Sequence, residues 1–520
     1  MITQIFNEHF LTTLVFLPVV FAILTLLLPK DHDLLIKGFS LLGSLVVFLF
    51  SLVVYFNFQS GVGDYQFVER QHWIPSLGVT YFLGVDGISI YLVLLTTLLL
   101  PLIVLSAWRA IEIDSKKYFF FFFLLESAVL GAFLSIDLFL FYLFWEVMLI
   151  PMFFLIGIWG SKDRIYAAQK FLLYTFVGSI PMLVAIIFLV YQTQLQFGTY
   201  SAALPDLLRL VLPGGSITSV QGLIFLSFCL AFAIKVPLFP FHTWLPDAHV
   251  QAPTGGSVIL AGILLKLGGY GLMRFAMPLS VSVLSLVSPW MSLIAAIAIV
   301  YGAFLATAQT DIKKLVAYSS VSHMGYVIIG LFALNQIGIT GSLFQMLNHG
   351  VSTGALFFLV GVLYERKHTR DITAYMGLAK TIPLFSIVML IVTFSSIALP
   401  GTNGFVGEFL ILQGTFLTNP IFALVAGLGV IFGAVYMLWL CQRILFGLVD
   451  SKKSEGLTDI TLREFLYLAP LIALIFFMGL YPRHFFQRMD ASVQMFTKRI
   501  TTYSNTVQIP LEKDSYAKHN

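Results

Sequence analysis

Apolar runs of about 20 residues, the length an α-helix needs to cross the hydrocarbon core of a bilayer, recur along almost the whole chain. We count about fourteen of them. Backbone polar groups in lipid must be paired within their own element, and these runs lack the two-residue alternation of strands, so each is predicted to be a helix. With 59% hydrophobic and 10% charged residues, the chain falls outside the range of globular domains. The predicted fold class is an all-α polytopic membrane protein. The runs are 10–29, 38–57, 87–108, 118–136, 138–159, 170–191, 221–240, 256–275, 286–308, 315–335, 341–364, 383–402, 421–446 and 465–482.

Basic residues are distributed unequally between the predicted loops. No Lys or Arg precedes the first run, unlike in a cleavable signal peptide, so this run is expected to remain as an anchor with its N-terminus outside. The outside loops then hold Arg70, Arg209 and Arg274. The inside loops carry many more, in agreement with the positive-inside rule. They are Lys30, Lys37, Arg109, Lys116, Lys117, Lys162, Arg164, Lys170, Lys313, Lys314, Arg366, Lys367, Arg370, Lys380, Arg443, Lys452, Lys453 and Arg463.

Several function classes have no support in the sequence. The two cysteines, Cys229 and Cys441, lie in apolar runs and form no C-x-x-C motif, so neither an iron–sulfur nor a zinc site is expected. Neither G-x-G-x-x-G after a strand nor G-x-x-x-x-G-K-[ST] is present, so no nucleotide site is expected. The net charge of +4 is spread over short loops and a tail, which favours lipid headgroups or partner subunits over nucleic acid.

Three ionisable residues lie inside apolar runs: Glu146, Lys235 and Lys266. A charged side chain near the middle of a membrane costs roughly 3 kcal/mol on insertion scales, and such residues usually carry ions or protons. The sequence therefore indicates a proton path through the membrane.

Two of the predicted helices contain residues that break a helix. Lys235 is followed by three prolines in KVPLFPFHTWLPD, and Glu408 follows a proline and three glycines in LPGTNGFVGE. Paired interrupted helices are the best sequence indication of an ion site in a transporter built from inverted repeats. These are the seventh and twelfth helices. We therefore predict two inverted five-helix repeats, with Lys235 and Glu408 at related hinges.

The predicted organisation has five parts. They are residues 1–117 with helices 1–3, residues 118–275 with helices 4–8 as the first repeat, residues 286–446 with helices 9–13 as the second, residues 465–486 with helix 14, and a polar tail over residues 487–520.

A role can be assigned to each candidate residue. Moving a carboxylate toward or away from a buried lysine changes how tightly that lysine holds its proton, so Glu146 and Lys235 are predicted to form a switch. Lys266 would be the next carrier and Glu408 the exit group. Histidines titrate near neutral pH, so His323 and His349 are predicted to shuttle protons between them.

The same residues have structural alternatives. Glu146 and Lys235 could be a static ion pair that stabilises a helix break, and Lys266 too could be purely structural. Each histidine could hydrogen-bond a backbone carbonyl. Further polar or aromatic residues are expected to have no transport role: Glu126 as a structural or lipid-facing group, the phenylalanines of 119–123 as lipid contacts, and His242, Asp247 and His249 as solvated capping residues in a loop.

Three long motifs resemble those of the antiporter-like membrane subunits of respiratory complex I and of Mrp-type antiporters. They are KVPLFPFHTWLPDAHVQAPTGGSVILAGILLKLGGYGLMRF at 235–275, DIKKLVAYSSVSHMGYV at 311–327 and LNHGVSTGALFFLVGVLYERKHTRDI at 347–372. The similarity extends from about residue 85 to about residue 480. Several family members have lysine at the key position of the broken twelfth helix, whereas the M-type has glutamate. Glu408 therefore points to the M-type.

This resemblance implies fourteen helices, two inverted repeats, and half-channels that meet along a polar mid-membrane axis. By this resemblance Glu146 matches the family's helix-5 glutamate, Lys235 its helix-7 lysine and Lys266 its helix-8 lysine. Glu408 matches the helix-12 glutamate, and His323 and His349 match the connecting histidines.

The implied function is proton translocation in a type I NADH:quinone oxidoreductase. No cofactor is expected in this chain; NAD, FMN, iron–sulfur clusters and quinone would be bound by other subunits. The expected partners are L-type and N-type membrane neighbours, lipids and, indirectly, a peripheral redox arm. The expected location is a bacterial plasma membrane.

Two alternatives remain at this point. The chain could belong to an Mrp-type cation/proton antiporter driven by ion gradients. It could instead be a passive scaffold in a membrane-bound hydrogenase or a related complex.

Overall fold

The structure is a computed structural model that describes residues 9–447 and 457–506. Lys452 and Lys453, assigned above to an inside loop, and tail residues 507–520 lie outside the described residues.

Each predicted apolar run overlaps one of the helices α1 to α14, and the all-α polytopic class is confirmed. Eleven helices in the described ranges are long and apolar enough to cross a membrane. Of the others, α7 and α12 are interrupted and α10 carries several polar side chains.

Helices α1 to α6 are Phe10–Leu27, Asp33–Asn57, Ile90–Ala110, Ser115–Leu134, Leu138–Trp159 and Arg164–Phe197. Helices α7a, α7b and α8 to α11 are Val220–Lys235, Trp244–Gln251, Thr254–Leu279, Leu284–Thr307, Ile312–Leu331 and Gln336–Lys367. Helices α12a, α12b and α13 to α15 are Pro383–Ser396, Asn403–Thr418, Pro420–Leu445, Leu462–Leu480 and Arg483–Thr506.

Helices α8 and α11 form the centre of the bundle. Both are buried over the whole of their apolar windows, whereas α1, α2, α13 and α14 are buried over one third. Polar side chains on α8 and α11 are therefore shielded from lipid, the arrangement that ionisable residues need inside a membrane.

The two helix breaks satisfy most of their freed backbone groups locally. At the break after α7a, the Trp244 indole donates to the carbonyl of Ile234 at 2.9 Å. Between α12a and α12b, the Ser395 hydroxyl donates to the Asn403 side chain at 2.5 Å, and the Leu399 amide donates to the carbonyl of Phe394. Irregular backbone inside a membrane is tolerated only where protein or water provides such partners.

One part of the described chain is not helical. Strands β1 (Gln66–Ile74) and β2 (Val79–Val85) form an antiparallel hairpin between α2 and α3. The buried carboxylate of Glu69 accepts hydrogen bonds from the Leu11 amide and the Thr12 hydroxyl, which ties the hairpin to the start of α1. The hairpin lies outside the long hydrophobic segments, so hydropathy alone did not predict it.

The polar tail predicted from residue 487 begins as a helix instead. Helix α15 buries one apolar stripe, Phe485, Met489, Val493, Phe496 and Ile500. The spacing of three or four residues between these side chains is the signature of an amphipathic helix, which the low overall hydropathy of the segment concealed.

Arg274 is also placed differently from the prediction. It was assigned to an outside loop, but it is buried in α8. Its guanidinium donates two hydrogen bonds to the buried Asp86 carboxylate, at 2.8 and 2.6 Å, and one to the hydroxyl of Tyr270. Because both charges are buried and paired, the ion pair ties α8 to the segment between β2 and α3.

Asp86→Asn is expected to destabilise the protein strongly, because it leaves the Arg274 charge buried without its counter-ion. Breaking such a pair costs about 3–5 kcal/mol. Thermal unfolding of the detergent-solubilised protein measures this. Asp114→Asn is the control, since the exposed pair of Asp114 with Lys117 is worth at most about 1 kcal/mol. Equal unfolding temperatures for the two variants would contradict this expectation.

Candidate functional site

Lys266 lies at a widened turn of α8. Residues Leu260–Leu264 form a π-helical segment, and the Lys266 ammonium donates to the carbonyl of Ala261 within it. Such π segments often occur at functional sites, because they leave backbone carbonyls available to other groups. The Lys266 side chain is fully buried and its Nζ lies 2.6 Å from Nδ1 of His349 on α11.

Small residues bring α8 and α11 together at this point. A Cβ added to Gly350 would lie 2.8 Å from the carbonyl oxygen of Gly262, so a side chain at this position would force the two helices apart. Glycine contacts of this kind allow close helix packing in membranes. The lysine–histidine contact therefore depends on glycines elsewhere on the same two helices.

From His349 the polar groups continue to α12b. The rings of His349 and His323 have centroids 6.0 Å apart. Nδ1 of His323 lies 3.1 Å from Oε1 of Glu408, which also accepts a hydrogen bond from the Gln345 amide at 3.0 Å. The hydroxyl of Tyr436 is 3.3 Å from Nε2 of His323. Four predicted residues thus form one row, Lys266–His349–His323–Glu408.

Lys235 and Glu146 are near each other but not in direct contact. Lys235 is fully buried, its Nζ has no hydrogen-bond partner among the described residues, and it lies 5.0 Å from the ring centre of Trp145 and 5.5 Å from that of Phe171. Glu146 is half-buried and accepts a hydrogen bond from the Ser179 hydroxyl. The charge of Glu146 acts on Lys235, yet within the described residues no hydrogen bond joins the two side chains.

The structure separates this pair from the row. Lys266 bonds only to Ala261 and His349 within the described ranges, so no hydrogen bond joins it to Lys235. Helices α7a and α8 nevertheless touch. Gly268 of α8 packs against Phe232 of α7a and against Val236 in the turn after it.

The prediction of solvated loop histidines is wrong. His249 on α7b is fully buried, with its ring stacked on Phe357 at 4.6 Å, and neither ring nitrogen has a partner in the described part of the chain. His242 is likewise buried, whereas Asp247 is half-exposed and pairs with Lys170. The short helix α7b turns His249 inward, and His242 is buried in the turn before it, which a loop assignment could not anticipate.

A cavity of about 800 Å³ that opens to solvent lies beside the turn after α7b, with Ala252 and Pro253 in its wall. Its walls include Lys313, Glu365 and Arg370. Lys313 is buried and donates to the carbonyl of Ala252 at 2.5 Å, and the charges of both Lys313 and Lys266 act on His249. Sequence reasoning placed Lys313 in an inside loop. The signal that could have found it is its position two residues after Asp311, which caps α10 and so places Lys313 in the first turn of the helix.

Two other expectations need correction. Glu126 is not lipid-facing: it is buried, and neither carboxylate oxygen has a hydrogen-bond partner in the described ranges. In the phenylalanine run, Phe119, Phe122 and Phe123 are buried in protein contacts instead of facing lipid. Helix α4 lies inside the bundle, so its apolar residues have protein on several sides.

No group of three or more His, Cys, Asp or Glu side chains in the described ranges is arranged to hold a metal ion. Cys229 and Cys441 are both buried thiols, and Cys229 contacts the sulfur of Met291 at 3.7 Å.

Comparison with known proteins gives consistent matches over almost the full length. Residues 135–435, a segment that contains all six predicted site residues, match the family described as NADH:quinone oxidoreductase/Mrp antiporter, TM. NADH-quinone oxidoreductase subunit M of Rhodobacter capsulatus is 46% identical, with 91% of this chain and 94% of the relative covered. NADH-ubiquinone oxidoreductase chain 4 of Marchantia polymorpha is 43% identical, with 93% and 96% covered. A chain of the structure of respiratory complex I from Thermus thermophilus with bound NADH superposes with a TM-score of 0.84 at 34% identity, covering 94% of this chain and 99% of the other.

Proposed function

Because the chain belongs to the family of NADH-quinone oxidoreductase subunit M and chain 4, we propose that it translocates protons along a mid-membrane axis of Glu, Lys and His residues. The energy comes from electron transfer between NADH and quinone in other subunits of the complex. The observation that supports the axis most directly is the row Lys266–His349–His323–Glu408, which joins α8 to α12b through the interior of the bundle.

The row has the chemistry that proton transfer requires. The Lys266 ammonium faces Nδ1 of His349, and a proton accepted there leaves the imidazole from Nε2, which has no partner among the described residues. The ring separation of 6.0 Å between His349 and His323 is bridged by one water or by a ring rotation. His323 then delivers the proton from Nδ1 to the Glu408 carboxylate.

Glu146 and Lys235 control the row by charge. The Lys235 ammonium is held against the faces of Trp145 and Phe171 and has no hydrogen bonds within the described ranges, so the cost of keeping it charged depends on the few charges near it. Protonating or moving Glu146 changes that cost, and the change reaches Lys266 through the contact between α7a and α8.

His249 and Lys313 extend the proposal toward the membrane surface. Lys313 lines the cavity, and the charges of both Lys313 and Lys266 act on the buried His249. An imidazole in this position can accept a proton on one side and release it on the other. We assign His249 the role of passing protons from the cavity to Lys266.

The remaining assignments follow from the family and from the charge distribution. NAD, FMN, iron–sulfur clusters and quinone bind to other subunits, and L-type and N-type antiporter-like subunits are the membrane neighbours. The excess of basic residues in alternate loops supports an orientation with the N-terminus outside. The 46% identity to subunit M of Rhodobacter capsulatus supports a bacterial plasma membrane as the location.

Copurification tests the assignment to the complex. The tagged chain, purified in mild detergent, is expected to bring with it flavin and iron–sulfur subunits and NADH:quinone activity. Recovery of small membrane subunits alone, without flavin or that activity, would contradict the proposal and favour an Mrp-type antiporter.

His249→Phe is expected to reduce NADH-driven proton uptake by about tenfold or more, because the replacement fills the same buried space but carries no proton. Uptake is measured in inverted membrane vesicles containing equal amounts of assembled complex. His72→Phe, on the exposed face of β1, is the control and should leave uptake unchanged. Normal uptake in an assembled His249→Phe complex would remove His249 from the path.

A further inference from the structure

An apolar crevice of about 660 Å³ opens between α2, α3, α11 and α14. Its deep part is lined by aliphatic and aromatic side chains, among them Phe48, Leu98, Leu347 and Leu474. It is separate from the polar row and from the cavity beside Lys313, and none of the proposed proton-carrying residues lines it. A function for this crevice therefore does not depend on the proton path.

The crevice has the length of an acyl chain segment. Its lining runs from Phe48 to Tyr55 on α2 and from Tyr91 to Leu98 on α3. Seven residues of helix correspond to a rise of about 10 Å. One leaflet of a bilayer has a hydrocarbon depth of about 15 Å, half of the full core. A chain lying along these helices would fill the crevice over most of one leaflet.

The side of the crevice is open between α2 and α14. Phe477 at this edge is 41% exposed, and Leu52 and Leu474 are half-buried. These are apolar side chains on membrane-spanning helices, so a molecule that enters sideways comes from the hydrocarbon phase.

The end of the crevice nearest α15 is polar. The Tyr55 hydroxyl lies 2.6 Å from Nε2 of His484, and the Tyr91 hydroxyl donates to the backbone carbonyl of His484 at 3.3 Å. The guanidinium of Arg488 stacks on the ring of Tyr55 at 4.3 Å. Partial burial and the Arg488 charge lower the pKa of His484, so this histidine is neutral at neutral pH.

Arg488 is thus the cationic group at this end. Its Nε has no hydrogen-bond acceptor among the described residues, and the guanidinium also interacts with the Tyr91 hydroxyl. A guanidinium with an unpaired donor beside two tyrosines is suited to a phosphate group. An apolar slot that ends at such a cation matches the two parts of a phospholipid.

We propose that this crevice binds one phospholipid, with an acyl chain between α3 and α14 and the phosphate at Arg488. The lipid fills the space between α2, α3, α11 and α14. The recognition chemistry is the phosphate diester, which anionic and zwitterionic phospholipids share.

Photo-crosslinking in the assembled complex tests the site. The complex is reconstituted into vesicles of phosphatidylethanolamine that contain phosphatidylglycerol with a diazirine on one acyl chain. After illumination, labelled peptides from α3 and α14 are identified by mass spectrometry. We expect labels between Tyr91 and Leu98 or between Leu474 and Met478. Labels confined to other helices, or to other subunits, would overturn the proposal.

Filling the crevice provides the matched comparison. Leu98→Trp is expected to lower the crevice labelling at least fivefold. Leu474→Trp, on the opposite wall, should have the same effect, and it provides the test if Leu98→Trp fails to assemble. Leu49→Trp adds the same ring on the exposed face of α2 outside the crevice and should leave labelling unchanged. Unchanged labelling in both crevice variants would overturn the proposal.

The headgroup contact is tested separately. Arg488→Gln is expected to reduce the amount of phospholipid that remains bound during detergent washing, measured by native mass spectrometry, at least threefold. Arg483→Gln, an exposed position at the start of α15, is the control. Equal retention in the two variants would exclude Arg488 as the phosphate ligand.

Discussion

Lys266→Met is expected to reduce NADH-driven proton uptake at least about tenfold while the complex still assembles. Methionine has nearly the length of lysine and is apolar, so the buried space stays filled and no buried charge is left without a partner. The only hydrogen bonds of the Lys266 ammonium in the described ranges are to His349 and to the Ala261 carbonyl. The variant thus removes the proton carrier at the start of the row. Uptake is measured in inverted vesicles, and assembly by native electrophoresis.

Lys37→Met is the matched control for this variant. Lys37 is also a buried lysine of a membrane helix, but it pairs with Asp33 at 2.5 Å near the start of α2, away from the axis. If the Lys266 variant pumps normally, the row Lys266–His349–His323–Glu408 is not the route of the proton.

Lys235→Ala is expected to cause a comparable loss of coupled NADH:quinone activity, again at least about tenfold, in a complex that assembles. The Lys235 amine has no hydrogen bonds within the described ranges and lies against two aromatic rings, so its removal breaks no network and acts mainly by deleting the charge. Glu146→Gln, which removes the opposing charge, should impair the same activity. The measurement is NADH:quinone oxidoreduction in membranes, normalised to the amount of complex.

Two further variants separate charge from packing. Lys235→Met fills the space beside Trp145 and should be as inactive as Lys235→Ala. Lys170→Ala removes a lysine from the surface ion pair with Asp247 and should stay active. An assembled Lys235→Ala complex with full coupled activity would show that Lys235 only stabilises the break after α7a.

The sequence predicted the features that depend on composition along the chain. Hydropathy located the helices that cross the membrane, and prolines and glycines located the breaks after Lys235 and before Glu408. The free-energy cost of placing a charged side chain in a membrane was sufficient to identify Lys235 and Lys266 as candidate site residues, and both are fully buried.

What the sequence did not predict depends on helix packing in three dimensions. The contact between Lys266 and His349 requires the close approach of Gly262 and Gly350, which are far apart in the chain. Arg274 was assigned to a loop because a charge at the end of a helix is usually solvated. The partner that buries it, Asp86, is distant in sequence.

Amphipathic and short elements were missed for a different reason. Helix α15 has too little net apolar character to be detected as a membrane run, although its buried stripe has helical spacing. His249 lies on an eight-residue helix between two breaks, where a solvated loop was the simpler expectation. The division into two inverted repeats remains a prediction.

The complete burial of α8 and α11 has a consequence for biogenesis. Helix α8 ends at Leu279 and α11 begins at Gln336, so the ribosome completes the lysine-bearing helix before it makes the helix that carries His349. During this interval the nascent chain holds Lys266 in the membrane without its histidine, at an insertion cost of roughly 3 kcal/mol that the apolar residues around it must offset. Correct assembly therefore depends on a partly built bundle that stays open on one side until α11 arrives.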